Sequence, residues 1–126
     1  MDNKFEVRMD QEVKRGDLFW CNLPNMGNSV QSGHRIVMVL QNDKGNKFSP
    51  LTIVVPLTKL INKRGLPTHV ILNKSEQNGL VYDSTIICEN IITLDKRSLN
   101  NKVGNIESFK MKQVDRAVKI SLGLEV

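Results

Sequence analysis

Short apolar blocks separated by polar turn chemistry occupy most of the chain, and a helical stripe closes it. Lys14-Arg15-Gly16-Asp17 supplies a turn before Leu18-Phe19-Trp20-Cys21-Asn22-Leu23, which reads as a strand that Pro24 ends. The stretch from Asn25 to Gly33 is rich in Asn, Ser and Gly and reads as a loop. Arg35 to Gln41 and Leu51 to Leu57 are β-branched runs with the look of buried strands, and Asn42-Asp43-Lys44-Gly45-Asn46 between them is a turn signal. Lys59 to Pro67 forms a basic loop. Thr68 to Leu72, Thr85 to Cys88 and Ile91 to Leu94 are further strands, with single helical turns expected at Ser75 to Gly79 and Asp95 to Leu99. From Glu107 to Leu122 the period changes. Val114, Ala117, Val118 and Leu122 fall on one helical stripe, and Lys110, Lys112, Asp115 and Arg116 lie off it. The pattern predicts a mainly β, α+β domain: a short barrel or curled sheet of mostly antiparallel strands with one C-terminal amphipathic helix packed on it.

Composition narrows this picture without changing it. A chain of 126 residues, 40% hydrophobic and 25% charged, fits one globular domain. We expect residues 1–12 to be a flexible extension and residues 13–126 to be the domain. The net charge of +5 is unevenly spread. Residues 1–12 carry Asp2, Glu6, Asp10 and Glu12 against Lys4 and Arg8, so the domain itself is the more basic part. A basic domain attracts polyanions or an acidic protein partner. The longest apolar runs, such as Ile36 to Leu40, are far short of the roughly 20 residues of a membrane span, and the N-terminus lacks a secretory pattern. A cytoplasmic protein without membrane association is expected. Cys21 and Cys88 have no paired spacing, so they read as buried thiols in a reducing compartment and give no zinc motif.

Familiar catalytic signatures are missing, among them HExxH, a P-loop and GxSxG. The only histidines are His34 and His69, and their relative placement is open. One juxtaposition does follow from strand counting. If the runs 35–41 and 51–58 fold as a hairpin about the loop 42–50, Arg35 stands opposite Thr58, with Cβ atoms about 4.5–5.5 Å apart and on one face. In an extended strand His34 would point to the other face. Pattern alone also allows Arg35 as a solvated strand end and Thr58 as a residue chosen for β-propensity.

Several segments in register resemble the MazF/PemK toxins, especially their Gram-positive branch. These are Val13-Lys-Arg-Gly-Asp-Leu18, Gly33-His-Arg35, Val39-Leu-Gln-Asn-Asp43, Gly45-Asn-Lys-Phe-Ser-Pro50, Leu66-Pro-Thr-His-Val70 and Asp83-Ser-Thr-Ile-Ile-Cys-Glu-Asn90. Asp95-Lys-Arg97 and the tail Ile120 to Leu124 continue the match, which runs from Val13 to the C-terminus. The resemblance implies an SH3-like small barrel with a C-terminal helix, assembled as a homodimer. It implies a toxin of a type II toxin–antitoxin system: a metal-independent, cofactor-free endoribonuclease that cuts single-stranded mRNA at short sequences. The products would carry 2′,3′-cyclic phosphate and 5′-hydroxyl ends, and a MazE-like antitoxin, acidic and partly disordered, would cover the RNA groove. On that resemblance the catalytic residues are Arg35 and Thr58, and the RNA-binding residues are Ser29, His34, Asn42, Leu66, Pro67, Ser84, Glu89 and Asn90. Arg35 would stabilise phosphorane charge through its planar fork and is a candidate proton donor. Thr58 would anchor the phosphate, and the RNA would supply the attacking 2′-oxygen. His69 reads as structural. Two departures stand out. Ile36 follows the arginine where many relatives have Pro, and Ser29-Val30-Gln31 replaces Ser-Glu-Gln, which leaves a UAC-containing target an open inheritance. The competing function is that of a CcdB-like toxin, which binds gyrase and cuts no RNA.

Overall fold

A computed structural model describes residues 11–24, 33–59 and 65–125. Seven strands form: β1 (Asp17–Leu23), β2 (Gly33–Val39), β3 (Leu51–Lys59), β4 (His69–Leu72), β5 (Ser84–Ile87), β6 (Ile92–Asp95) and β7 (Leu99–Asn105). Two helices accompany them, α1 (Asp43–Phe48) and α2 (Ser108–Leu122), together with a 3-10 turn at Lys96–Ser98. All pairings are antiparallel, in the order β4-β5-β3-β2-β1-β7, and β6 pairs with β3 on the edge opposite β2, Val54 pairing with Val39 on one side and Ile92 on the other. The hydrogen-bonded path does not close on itself. The curled sheet is therefore present, and among the described residues a closed barrel is not.

Alternation along the central strands divides the interior. Leu18, Met38, Val55, Leu57 and Ile86 face a cluster completed by Val114 and Ala117 of α2. Phe19, Val37, Val39 and Val54 face the other way, onto Cys21, Leu23 and Leu99 with Ile92 and Leu94 at the edge. Successive residues of a strand point to opposite faces, so a sheet covered on both sides needs the solid apolar runs seen in β2 and β3. Val114 and Ala117 are buried as the stripe predicts, but Leu122 is 57% exposed, because the last turn of α2 runs past the sheet.

The expected turn at 42–46 is a helix. Asn42 caps it, its side-chain oxygen accepting from the Gly45 amide at 2.8 Å, which satisfies one of the amides a helix start leaves unpaired. Asn46, buried, fastens α1 to the sheet: its oxygen accepts from Thr52 Oγ1 at 2.7 Å and from Gln41 Nε2 at 3.0 Å. The inserted helix leaves the hairpin register intact. Val37 pairs with Pro56, Met38 with Val55 and Val39 with Val54, the rungs expected from symmetric folding about the connection.

Candidate functional site

The β2–β3 ladder stops at Val37–Pro56. Beyond it β3 runs on without β2, held on its other edge by β5: Leu57, Thr58 and Lys59 pair with Ile86, Thr85 and Ser84. β2 continues against β1, with Arg35 opposite Cys21 and His34 opposite Asn22. The ladder ends, and the two strands fork, two rungs short of Arg35 and Thr58, so they are not opposed across it as the hairpin count places them. A cavity of about 290 Å³ occupies the fork, lined by His34, Arg35 and Ile36 of β2 and by Leu57, Thr58 and Lys59 of β3. Three consecutive residues from each strand reach it because it lies at the open end of the fork and not over one face. His34 thus joins Arg35 in the lining, contrary to the expectation that an extended strand would turn it away.

The remaining wall comes from Trp20, Val103, Ser84 and the segment Gly79–Tyr82. Trp20 stacks flat on His34, with ring centroids 4.7 Å apart and planes 5° from parallel. Ser84 is buried, and its hydroxyl donates to the Tyr82 carbonyl at 2.9 Å. The Lys59 ammonium lies 4.2 Å from the centroid of the Tyr82 ring. This wall segment is built on two unassuming residues. Gly79 has φ +69°, and a Cβ there would stand 2.1 Å from the Val103 carbonyl oxygen, so only glycine lets the loop press against β7. Asn78, fully buried, accepts from the amides of Ser75 and Leu80 at 3.0 Å each and donates to the Asn73 carbonyl at 2.8 Å. Glu107, just before α2, accepts from the Ser75 hydroxyl and thereby ties the loop to the helix. Burial pushes the Glu107 carboxyl up; the hydrogen bonds from Ser75, its own backbone and Asn78, with Lys110 nearby, outweigh this and hold it below the ordinary glutamate range.

The other sequence-derived candidates stand elsewhere. Leu66 and Pro67 are exposed, and Glu89 and Asn90 follow β5 at its far end from Ser84. There Thr68 donates to Glu89 Oε1 at 2.8 Å, and His69 Nε2 lies 3.3 Å from Glu89 Oε2. The carboxylate is therefore held in place, and His69 has the structural task expected of it. Asn42 sits beyond the opposite end of β2 from Arg35 and spends its side-chain oxygen on the α1 cap. Ser29 lies outside the described residues. The structure thus brings His34, Arg35, Thr58 and Ser84 into one cavity, gathers Leu66, Pro67, Glu89 and Asn90 into a second cluster, and separates Asn42 from both. Strand counting missed Trp20, Lys59, Tyr82 and the Asn78–Gly79 support. Trp20 alternates with buried Phe19 and Cys21, and that was the one available signal that a tryptophan faces outward.

Burial raises the thiols of Cys21 and Cys88, the latter to about 12 with help from the Glu89 charge, so both stay protonated and unreactive near neutral pH. Among the described residues no three His, Cys, Asp or Glu side chains converge as a metal-holding group, and no helix is long and apolar enough to cross a membrane.

A family model described as PemK-like, MazF-like toxin of type II toxin-antitoxin system matches residues 14–122. The chain belongs to this family. It is 46% identical over 112 residues to Endoribonuclease MazF of Staphylococcus saprophyticus subsp. saprophyticus, covering 89% of this chain and 92% of that relative. Among solved structures it is similar to MazF of Deinococcus radiodurans, with a TM-score of 0.75 at 22% identity over 91% of this chain and 100% of that one. A mycobacterial endoribonuclease in complex with its cognate antitoxin gives 0.73 at 24% identity over 90% and 98%. At such identities the structural likenesses establish the shared MazF fold; the family match establishes membership.

Proposed function

We propose that the protein is an endoribonuclease toxin that cuts single-stranded RNA in the fork between β2 and β3, and that a cognate antitoxin restrains it. The observation carrying this reading is that Arg35 and Thr58 line the same cavity at the point where the two strands part. The staphylococcal relative, named an endoribonuclease, supports it.

The chemistry follows from what these groups can do. The 2′-hydroxyl of the RNA gives up its proton as its oxygen attacks the adjoining phosphorus. The bond to the 5′-oxygen breaks and that oxygen takes up a proton, and the products are a 2′,3′-cyclic phosphate and a 5′-hydroxyl. Negative charge builds on the non-bridging oxygens during the attack. The Arg35 guanidinium is permanently charged and planar, and it meets two such oxygens at once. By analogy with oxyanion donors, a group of this kind contributes about 10²–10³ in rate. The Thr58 hydroxyl donates a hydrogen bond to the same phosphate. The charge that a metal ion would otherwise supply thus comes from Arg35, and the reaction needs no cofactor. His34 and Ser84 contact the RNA beside the phosphate, while Leu66, Pro67, Glu89 and Asn90 form a more distant contact surface for unstacked bases. In the same reading Ser29 and Asn42 add contacts at the edges. The protein acts in the cytoplasm as a homodimer, and the acidic antitoxin is drawn to the basic domain.

The CcdB-like alternative predicts binding without turnover. Incubation of a long single-stranded RNA with purified protein in excess EDTA separates the two. The expected result is 5′-hydroxyl ends at a recurrent short sequence; intact RNA, or cutting only after metal is added, would refute the proposal.

A further inference from the structure

We infer that Tyr82, held by Lys59, is the shelf on which a nucleobase beside the scissile phosphate stacks; this rests on the ribonuclease reading of the same cavity. Arg35 and Thr58 can grip a phosphate, but neither offers a flat surface for a base. Three rings line the cavity: Trp20, His34 and Tyr82. Trp20 and His34 are already stacked on each other, whereas Tyr82 is in no ring pair among the described residues and Lys59 covers one of its faces. The Tyr82 ring is 57% exposed, with the Lys59 ammonium 4.2 Å from its centroid.

Tyr82 is also fixed from behind. Its carbonyl accepts from the buried Ser84 hydroxyl, and the carboxylate of Asp83, next in the chain, accepts from the Lys74 amide at 2.9 Å. Lys59 is brought alongside by its pairing with Ser84 across β3 and β5. A shelf already in place loses little freedom when a base settles on it. Aromatic stacking tolerates any base, because every base has a π-face, and the ammonium adds charge where the RNA backbone passes. At about 290 Å³ the cavity sits just below the usual ligand-pocket range of about 300–1,000 Å³, a size that suits one nucleotide.

The test uses an oligonucleotide containing a mapped cleavage sequence and a series in which each nucleotide near the cut is made abasic in turn. Tyr82→Phe should keep kcat/KM within about twofold. Tyr82→Ala should lose about 5- to 150-fold, the range for one stacked base, and should melt like the wild type because the ring is exposed. At one abasic position the wild type should fall to the level of Tyr82→Ala, and the variant should show no further loss. Wild-type kcat/KM in Tyr82→Ala, or equal losses in both proteins at every abasic position, would overturn the shelf. Arg35→Ala, assayed alongside, separates the two failures. If it is inactive while Tyr82→Ala cuts normally, only the shelf falls; if it cuts normally, the placement of cleavage in this cavity falls and the shelf with it.

Discussion

Asn78→Ala removes a single buried side chain that carries the wall of the cavity. The asparagine is fully buried, and its amide group satisfies the Leu80 and Ser75 amides and the Asn73 carbonyl. The Leu80 amide is in the interior, where a donor left without a partner costs about 1–3 kcal/mol. The Ser75 amide and Asn73 carbonyl lie nearer water and lose the smaller net value of about 0.5–1.5 kcal/mol for an ordinary hydrogen bond. Part of each is recovered when water reaches the loop. The sum is a destabilisation of about 2–4 kcal/mol, and at about 4 °C per kcal/mol for a domain of this size the midpoint should fall by about 8–16 °C. Thermal melting followed by circular dichroism reads this directly. Gln77→Ala is the control: Gln77 is exposed, and its amide donates to Asn105 Oδ1 at 2.9 Å and, at a long 3.3 Å, to the Ile106 carbonyl, contacts water can largely replace, so its loss should stay below that of Asn78→Ala, at about 1 kcal/mol. Melting of Asn78→Ala within about 2 °C of wild type, or a drop no larger than that of Gln77→Ala, would refute the role given to Asn78.

Gly79→Ala should destabilise by at least about 2 kcal/mol in urea melts, since it combines a left-handed backbone with a Cβ forced onto the Val103 carbonyl, and should raise KM for RNA by loosening the wall. Glu107→Gln tests the tie to α2 through pH. The Glu107 carboxyl is held below its ordinary value, so its contribution is fully present above the unfolded value of about 4.3 and is lost as pH falls through the folded value. The urea midpoints of wild type and Glu107→Gln should therefore differ at pH 6 and draw together as pH falls below the unfolded value and through the folded one; a gap unchanged at low pH would show that the charge has no part in the tie. Asp95, also held low by its hydrogen bonds from Arg97, titrates in both proteins and does not affect the comparison.

Elements that bury side chains were legible in the sequence, and elements held by polar contacts were not. β2 and β3 announced themselves through Ile36 to Leu40 and Leu51 to Leu57, and their register followed from symmetry. β7 shows no apolar run, because after buried Leu99 come exposed Asn100, Asn101 and Lys102, and the strand is secured by pairing with β1. α1 looked like a turn because six residues are too few to show a helical period, and the Asn42 and Asn46 side chains that stabilise it are the residues that favour turns elsewhere. The site divided in the same way. Counting set Arg35 opposite Thr58; the ladder ends before that rung, and the two residues share the lining of one cavity instead. The fork arises because the β2–β3 ladder ends at Val37–Pro56 while β3 runs on, held by β5 on its other edge, a tertiary choice without a local signature. Tyr82 and Lys59 meet for the same reason. Family resemblance named the Leu66, Pro67, Glu89 and Asn90 group, and the structure shows why it is a separate surface: β5 places Ser84 and Glu89 at opposite ends.

The central claim is that RNA is cut in the fork with Arg35 supplying the charge. The most direct measurement is end-mapping of one long RNA digested in EDTA by wild type and by Arg35→Ala, with both proteins first shown to melt alike. The account predicts recurrent 5′-hydroxyl ends with wild type and a loss of about 10²–10³ in their rate of appearance with the variant. The same ends appearing at the same rate with Arg35→Ala would contradict it.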